Sequence, residues 1–407
     1  MTQDLNHLGR VYSLDQSQEQ VLKQVWTYLF HLWNIPVDGT NAFDMSTNTL
    51  PTPKKKKSMF GKLSSSSSNS KVTTTTNYTK DMIHDSLKTV DPVMTQQTLW
   101  DMLRTDNPDN LILRFVRARK WDTDKSMGMV AHTLKWRKDK YDVDKILYNG
   151  EHAAYDNNES GFIKNLELQK ATISGYDLQG RPIVLVRPKL HHTDDQTEEE
   201  VEKYCLLIIE QTRLFLKDPV DSATIFFDLT GFSMSNMDYL PVKFLISCFE
   251  AHYPECLGHL FIHKAPWIFP PIWNIIKKWL DPVVASKVVF TSNVKDLNKY
   301  IEIDHIPSYL GGESEVDLDN FEPVDGSHDD YLSDIETRTQ LQSQRKVLIE
   351  KFIELTIKWI ETNNQEQSQK LLNEKIEIGL QLSQNYSNLD PYIRSRSNFD
   401  ISGTLDV

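Results

Sequence analysis

Hydrophobic residues first recur at helical spacing from about residue 15 to 33, where Val21, Leu22, Val25, Trp26, Leu29 and Phe30 predict one amphipathic helix. A second helical stretch covers about 96–148. There Leu111, Leu113, Phe115, Val116 and Trp121 interleave with Arg114, Arg117, Arg119 and Lys120, and a further helix from about Asp124 carries Met127, Val130, Leu134 and Trp136. Beyond it the period changes. Short apolar runs at 183–186, 224–227, 260–263 and 288–291 lack polar alternation, as expected of strands covered on both faces in a parallel sheet. Helix-length segments near 198–217, 239–252 and 272–280 separate them, so this part reads as right-handed crossover units of an α/β domain. After Gly312 the chain turns acidic and then helical from about 333 to 383, with Leu348, Phe352, Leu355 and Trp359 on one face; 389–407 reads as coil.

The helix predicted near 270–280 breaks the usual rule. A helix on a water-facing surface carries a polar face. Here Ile272, Trp273, Ile275, Ile276, Trp279 and Leu280 cover most of the circumference, and only Lys277 and Lys278 are charged. Such a helix is buried, or it meets something greasy that is not protein.

Composition narrows the class. The 407 residues are 39% hydrophobic and 25% charged, which fits a globular chain with one sizeable core and a smaller helical part. A net charge of −12 argues against general nucleic-acid binding, because phosphate repulsion works against it. Cys205, Cys248 and Cys256 are odd in number and lie in apolar contexts, as reduced core thiols do. Neither a leader-like N-terminus nor an apolar run of roughly 20 residues stands out. Residues 38–80 hold Lys54 to Lys57, Ser64 to Ser68 and Thr73 to Thr76 with few apolar positions, and are expected to be disordered. The lysine run, beside Met59 and Phe60, suits an anionic membrane surface; a solvated linker or an import-like patch accounts for it equally.

Several motifs in order then identify a resemblance. The run Leu113-Arg114-Phe115-Val116-Arg117-Ala118-Arg119-Lys120-Trp121, followed by Leu134-Lys135-Trp136-Arg137, resembles the helical N-terminal module of the CRAL-TRIO lipid-binding family. Gly175-Tyr176-Asp177-Leu178-Gln179-Gly180-Arg181-Pro182-Ile183, Phe227-Asp228-Leu229-Thr230-Gly231, Tyr253-Pro254-Glu255, Ala265-Pro266, Leu280-Asp281-Pro282 and 306–312 match the rest. Within that family the chain is similar to fungal phosphatidylinositol transfer proteins of the non-classical "CSR" type. The resemblance implies an α/β fold: a mixed, largely parallel sheet flooring an apolar cavity, a gate helix at 270–280, helices before and helices after. The expected division is an N-terminal helix (1–37), the insert (38–80), a helical module (81–148), the lipid-binding domain (149–316), an acidic linker with C-terminal helices (317–388) and a tail (389–407).

Carried over position by position, the resemblance places the grip on an inositol phosphate at Arg119, Lys120, Asp177, Glu255 and Lys287. Cations suit a phosphodiester and carboxylates accept from inositol hydroxyls. Each has a plainer reading: a solvated helix face for Arg119 and Lys120, a turn former for Asp177, an exposed helix-end carboxylate for Glu255. One departure stands out. Members that carry phosphatidylcholine place hydroxyls where this chain has Ala223 and Ile225, and a tyrosine where it has Val184. With Phe227 these residues are expected to line an apolar cavity that suits phosphatidylcholine poorly and leaves room for a sterol or squalene-like hydrocarbon.

No metal is expected: His252, Glu255, Cys256 and His259 fit no standard zinc spacing. No Gly-x-Ser-x-Gly elbow or phosphate loop occurs, so the chain is expected not to be an enzyme and to need no cofactor beyond its lipid, phosphatidylinositol. The expectation is a cytoplasmic monomer that visits endomembranes (endoplasmic reticulum, endosome or lipid droplet) and exchanges lipids there. The alternative is a lipid-gated scaffold that presents phosphatidylinositol to a lipid kinase or trafficking partner through the face of Leu348, Phe352, Leu355 and Trp359.

Overall fold

A computed structural model describes residues 8–44, 82–316, 318, 320–405 and 407. Helix α1 (Gln16–Leu32) starts at a capping box: Asp15 accepts from Gln18 N at 2.9 Å and Gln18 returns a side-chain oxygen to Asp15 N at 3.1 Å. A short α2 (Thr40–Phe43) follows. Helices α3 (Pro92–Met102), α4 (Pro108–Ala118) and α5 (Thr123–Asp139) each begin with an Asp or Asn cap, and the first two carry Pro at the first helical position. Then come α6 (Val143–Asn149), α7 (His152–Asp156) and α8 (Ser160–Glu167).

The sheet is built from β1 (Ala171–Tyr176), β2 (Pro182–Val186), β3 (Ala223–Asp228), β4 (Leu257–His263) and β5 (Val288–Thr291), in spatial order β1-β2-β3-β4-β5. β1 runs antiparallel to β2; the other pairings are parallel. α9 (Glu198–Leu214) crosses from β2 to β3, and α10 (Tyr239–Ser247), extended by a π-helical turn (Cys248–His252), crosses from β3 to β4. α11 (Phe269–Ile276) and α12 (Pro282–Ser286) lead into β5, and α13 (Val294–Leu297) follows it. The family's mixed, largely parallel sheet is therefore present. β1 escaped the pattern because Ala-Thr-Ile-Ser-Gly-Tyr holds too few large apolar residues to read as a run. β5, expected to be covered on both faces, is an edge strand with Phe290 half exposed.

The C-terminal helices expected after the acidic linker form a hairpin of α14 (Ile335–Glu361) and α15 (Gln365–Ile393). Thr362 closes the first helix, and Asn364 caps the second by accepting from Gln367 N at 2.9 Å. Phe352, Leu355 and Trp359 are buried and share one core with Trp26, Leu29 and Phe30 of α1 and with Leu111 to Val116 of α4. Two expectations are corrected here. Residues 38–44 do not begin a disordered insert: α2 packs Ala42 into that core, while 45–80 lie outside the described residues. Nor is the tail plain coil. α15 continues to Ile393, α16 (Asn398–Ile401) follows, and Arg394 is clamped between Asp390 and Asp400 at 2.7 Å each.

Candidate functional site: an apolar cavity with two polar ends

Parallel register sets the floor of the cavity. Val184, Ile225 and Leu260 lie side by side across β2, β3 and β4, and Val186, Phe227 and Ile262 form the next row. All six line a cavity of about 280 Å³, as does Ala223. The sheet's other face packs Ile183, Leu185, Phe226 and Phe261 against Leu297, Ile301 and Ile306. Walls come from α9 (Tyr204, Cys205, Ile208) and from α10 (Val242, Leu245, Ile246). The role of α10 as a wall was not legible beforehand. None of its residues is fully buried, because it has the lumen on one side and solvent on the other.

The proposed gate closes the remaining side. Phe269, Trp273, Ile276 and Leu280 face the lumen. Ile272 packs beneath it against Leu229, Phe232 and Ile262. Not every apolar position is covered: Ile275 is 43% exposed and the preceding Trp267 is 90% exposed. Trp279 does not enter the lumen. Its ring meets Tyr239 of α10 edge-on at 5.4 Å, with the Lys243 ammonium 4.9 Å from the ring centre. Glu250 accepts from Asp281 N at 2.7 Å, a second tie between the gate and the end of α10.

At the N-terminal ends of the parallel strands lies a charged rim. Lys287 is half-buried, donates to Leu257 O, and is held below its usual value by desolvation, offset in part by Glu255. Glu255, exposed at φ +58°, pairs with Arg117 Nε at 2.5 Å. Arg117 in turn bonds Gly9 O at 2.9 Å and lies 3.7 Å from Asp221, which Arg10 grips at 2.7 Å. Asp177 sits at the same end of the sheet but is buried, and its oxygens are in use. Oδ1 accepts from Gln179 N and Arg181 N at 2.9 and 3.1 Å; Oδ2 accepts from Thr224 Oγ1 at 2.7 Å and lies 3.5 Å from His259. Desolvation would raise its pKa, yet His259, Thr224 and the turn amides together hold it below the usual carboxylate range. Its geometry is that of a turn former. Arg119 and Lys120 end α4, with Lys120 exposed at φ +54°, and neither lines the lumen. Arg117, two residues earlier and so on another side of the helix, makes the contact with Glu255. Arg181, which runs across Gly258, and Arg117 are the cations that sequence reasoning passed over.

At the opposite end of the strands the lumen meets Asn165, Lys170, Arg187, His191, Asn236 and Asp238. Most are satisfied locally: His191 Nε2 pairs with Asp238 at 3.1 Å, and Asn236 Nδ2 donates to Lys189 O and His191 O. Burial lowers the Lys170 ammonium to about 8, against the pull of Asp195.

Behind the wall, Glu210 of α9 is fully buried among Arg137 (2.9 Å), Arg213 (3.1 Å) and Tyr253 Oη (2.8 Å). These cations hold its carboxylate far below its ordinary value despite desolvation. The network ties the helical unit to the cavity wall. Among the described residues no group of His, Cys, Asp and Glu could hold a metal, and no helix is long and apolar enough to cross a membrane.

Two family profiles match this chain. The CRAL/TRIO domain profile matches residues 166–312, and the CRAL/TRIO N-terminal domain profile matches 59–132. The chain is 50% identical to "Phosphatidylinositol transfer protein CSR1" of Eremothecium gossypii over 98% of both chains. It is 36% identical to "CRAL-TRIO domain-containing protein C3H8.02" of Schizosaccharomyces pombe, over 98% of this chain and 92% of that one. A solved structure titled "Crystal structure of Sfh5" overlays at a TM-score of 0.43, with 18% identity over 60% of this chain and 82% of that one. With its motifs in order, its sheet and cavity in place and near-full-length relatives of one kind, this chain belongs to the CRAL/TRIO family.

Proposed function

We propose that this protein binds phosphatidylinositol and exchanges it between membranes through a gated cavity, without a covalent step. The observation that carries the reading is an apolar lumen that reaches Cys256 and Leu257 at the N-terminal ends of the parallel strands, just beyond which Lys287 donates to Leu257 O and Glu255 pairs with Arg117. The acyl chains occupy the lumen and the inositol phosphate meets the rim, where Lys287 faces the phosphodiester and Glu255 accepts from a ring hydroxyl. Arg119 and Lys120 act from the end of α4, and Asp177 supports the rim by holding its turn. The full-length similarity to a protein named as a phosphatidylinositol transfer protein supports the same ligand.

Phosphatidylcholine is a poor ligand in this reading, because Ala223, Ile225 and Val184 offer its phosphate only carbon. A buried polar group without partners costs several kcal/mol, about 2 to 7. The lumen accepts a second apolar lipid, a sterol or a squalene-like hydrocarbon. Opening happens at a bilayer, where exposed Trp267 and Ile275 sit well in the interface, and Lys264, Lys277 and Lys278 favour anionic headgroups. The protein is then a cytoplasmic monomer visiting endomembranes. Transfer of labelled phosphatidylinositol and phosphatidylcholine between vesicles tests this. Equal rates, or no phosphatidylinositol transfer, reject it.

Presentation of phosphatidylinositol to a lipid kinase or trafficking partner is the second reading, but not through the face first assigned to it. Phe352, Leu355 and Trp359 are core residues; the exposed apolar positions of α14 are Ile335 and Val347.

A further inference from the structure

A strap of residues 8–13, ahead of α1, lies against the charged rim and is anchored on both sides of it. Val11 is buried and its N donates to Asn110 Oδ1 of α4 at 2.9 Å. Tyr12 Oη donates to Asp218 Oδ2 at 2.8 Å in the loop before β3. In that same loop Arg10 clamps Asp221 with two bonds of 2.8 Å, the forked geometry of a strong charge-assisted pair. Gly9 presses flat on the rim. At φ +71° its Cβ, if it had one, would lie 2.9 Å from Trp121 Cζ2 and 3.1 Å from Arg117 Cδ, and its carbonyl accepts from Arg117 Nη1 at 2.9 Å.

Asp221 is the charge that this strap controls. Burial would raise its carboxyl, yet Arg114, Arg10 and Arg117 together hold it below the usual carboxylate range, so it is an anion. It lies 3.7 Å from Arg117, which is shared with Glu255, and with Glu255 it also acts on Lys287. Arg114 has a carboxylate of its own in Asp106 at 3.3 Å, and Arg181 has Asp177 at 3.7 Å. That leaves Arg10, Arg117 and Lys287 against Asp221 and Glu255: three cations to two carboxylates, the excess that a phosphodiester monoanion matches. Without Arg10 the balance is zero. Asp221 then competes with Glu255 for Arg117 and repels a phosphate at Lys287. Resting on the reading of this rim as the inositol phosphate site, we infer that the strap completes it: Arg10 is a positioning residue that cancels Asp221, so that Arg117 stays on Glu255 and Lys287 is left for the phosphate.

The test measures phosphatidylinositol pick-up by the full chain from phosphatidylcholine vesicles that carry it as a minor component, with vesicle co-sedimentation alongside. Arg10→Gln should slow pick-up about fivefold with vesicle binding unchanged. Adding Asp221→Asn to that variant restores the charge balance and should bring the rate back near wild type. A strap that merely braced the fold would behave otherwise, because the double variant has lost both partners of the clamp. Failure of the second change to restore the rate therefore overturns the inference. So does an unchanged rate in Arg10→Gln, or a slowing matched by an equal loss of vesicle binding. If Arg10→Gln does not fold, Asp221→Asn alone adds one net positive charge and should speed pick-up about twofold; an equal or slower rate overturns the inference. A wild-type protein that picks up no phosphatidylinositol defeats the headgroup reading and the strap's role with it, whereas wild-type pick-up insensitive to both changes defeats the strap alone.

Discussion

Lys375 of α15 donates to Asp109 at the start of α4 at 3.0 Å, with both side chains fully buried and the two residues 266 positions apart in sequence. Trp26 of α1 donates to the same Asp109 oxygen at 2.7 Å, and the Lys375 ammonium lies 3.9 Å from the centre of the Trp359 ring. Three separate parts of the chain thus meet on one carboxylate. Desolvation lowers the Lys375 pKa, and Asp109 opposes that. Asp109→Ala leaves a buried cation without its partner, so chemical denaturation should show a loss of about 3–5 kcal/mol. Truncation after Asp330 removes α14 and α15 and should yield insoluble protein rather than a working transfer domain.

Lys287→Ala should slow phosphatidylinositol transfer by about tenfold, the scale of one charge-assisted hydrogen bond. Thermal unfolding should be nearly unchanged, because Lys287 sits at the rim and among the described residues donates only to Leu257 O. Unchanged transfer would place the phosphate elsewhere.

Restoring hydroxyls to the floor should change ligand choice. Ala223 and Ile225 both face the lumen from β3, one strand repeat apart. The double variant Ala223→Ser, Ile225→Thr should raise phosphatidylcholine pick-up, measured by mass spectrometry of co-purified lipid, by about tenfold. No gain would mean that shape rather than polarity excludes it.

Glu151 predicts how stability responds to pH. Burial raises its carboxyl to about 7 from an ordinary 4.5, against hydrogen bonds from Gln211 and Asn398. Asp400, Arg394, Tyr155 and Tyr204 also face it. Below pH 4.5 both folded and unfolded chains hold the proton. Between 4.5 and 7 the unfolded chain releases it first, so this group's contribution falls as pH rises, by about 3 kcal/mol in all. Glu151→Gln should flatten that part of the stability profile in denaturation series from pH 4.5 to 8.

Much of this architecture is written in local pattern. The apolar runs that became β2, β3 and β4, the amphipathic spacing of α1 and the over-apolar gate segment are visible because each depends on neighbours a few residues away. The motif order identified the family, and Val184, Ala223, Ile225 and Phe227 line the lumen. The rest depends on residues distant in sequence. Asp177 and Glu255 look alike as carboxylates in loops, yet only folding brings Thr224 and His259 onto the first and leaves the second exposed. Arg117 and Arg119 share a helix, and its rotation alone decides which reaches Glu255. Nothing near Asn165 or Lys170 in sequence announces a polar end to a cavity. That polar end exists because α8 and the residue before β1 are packed against the lumen.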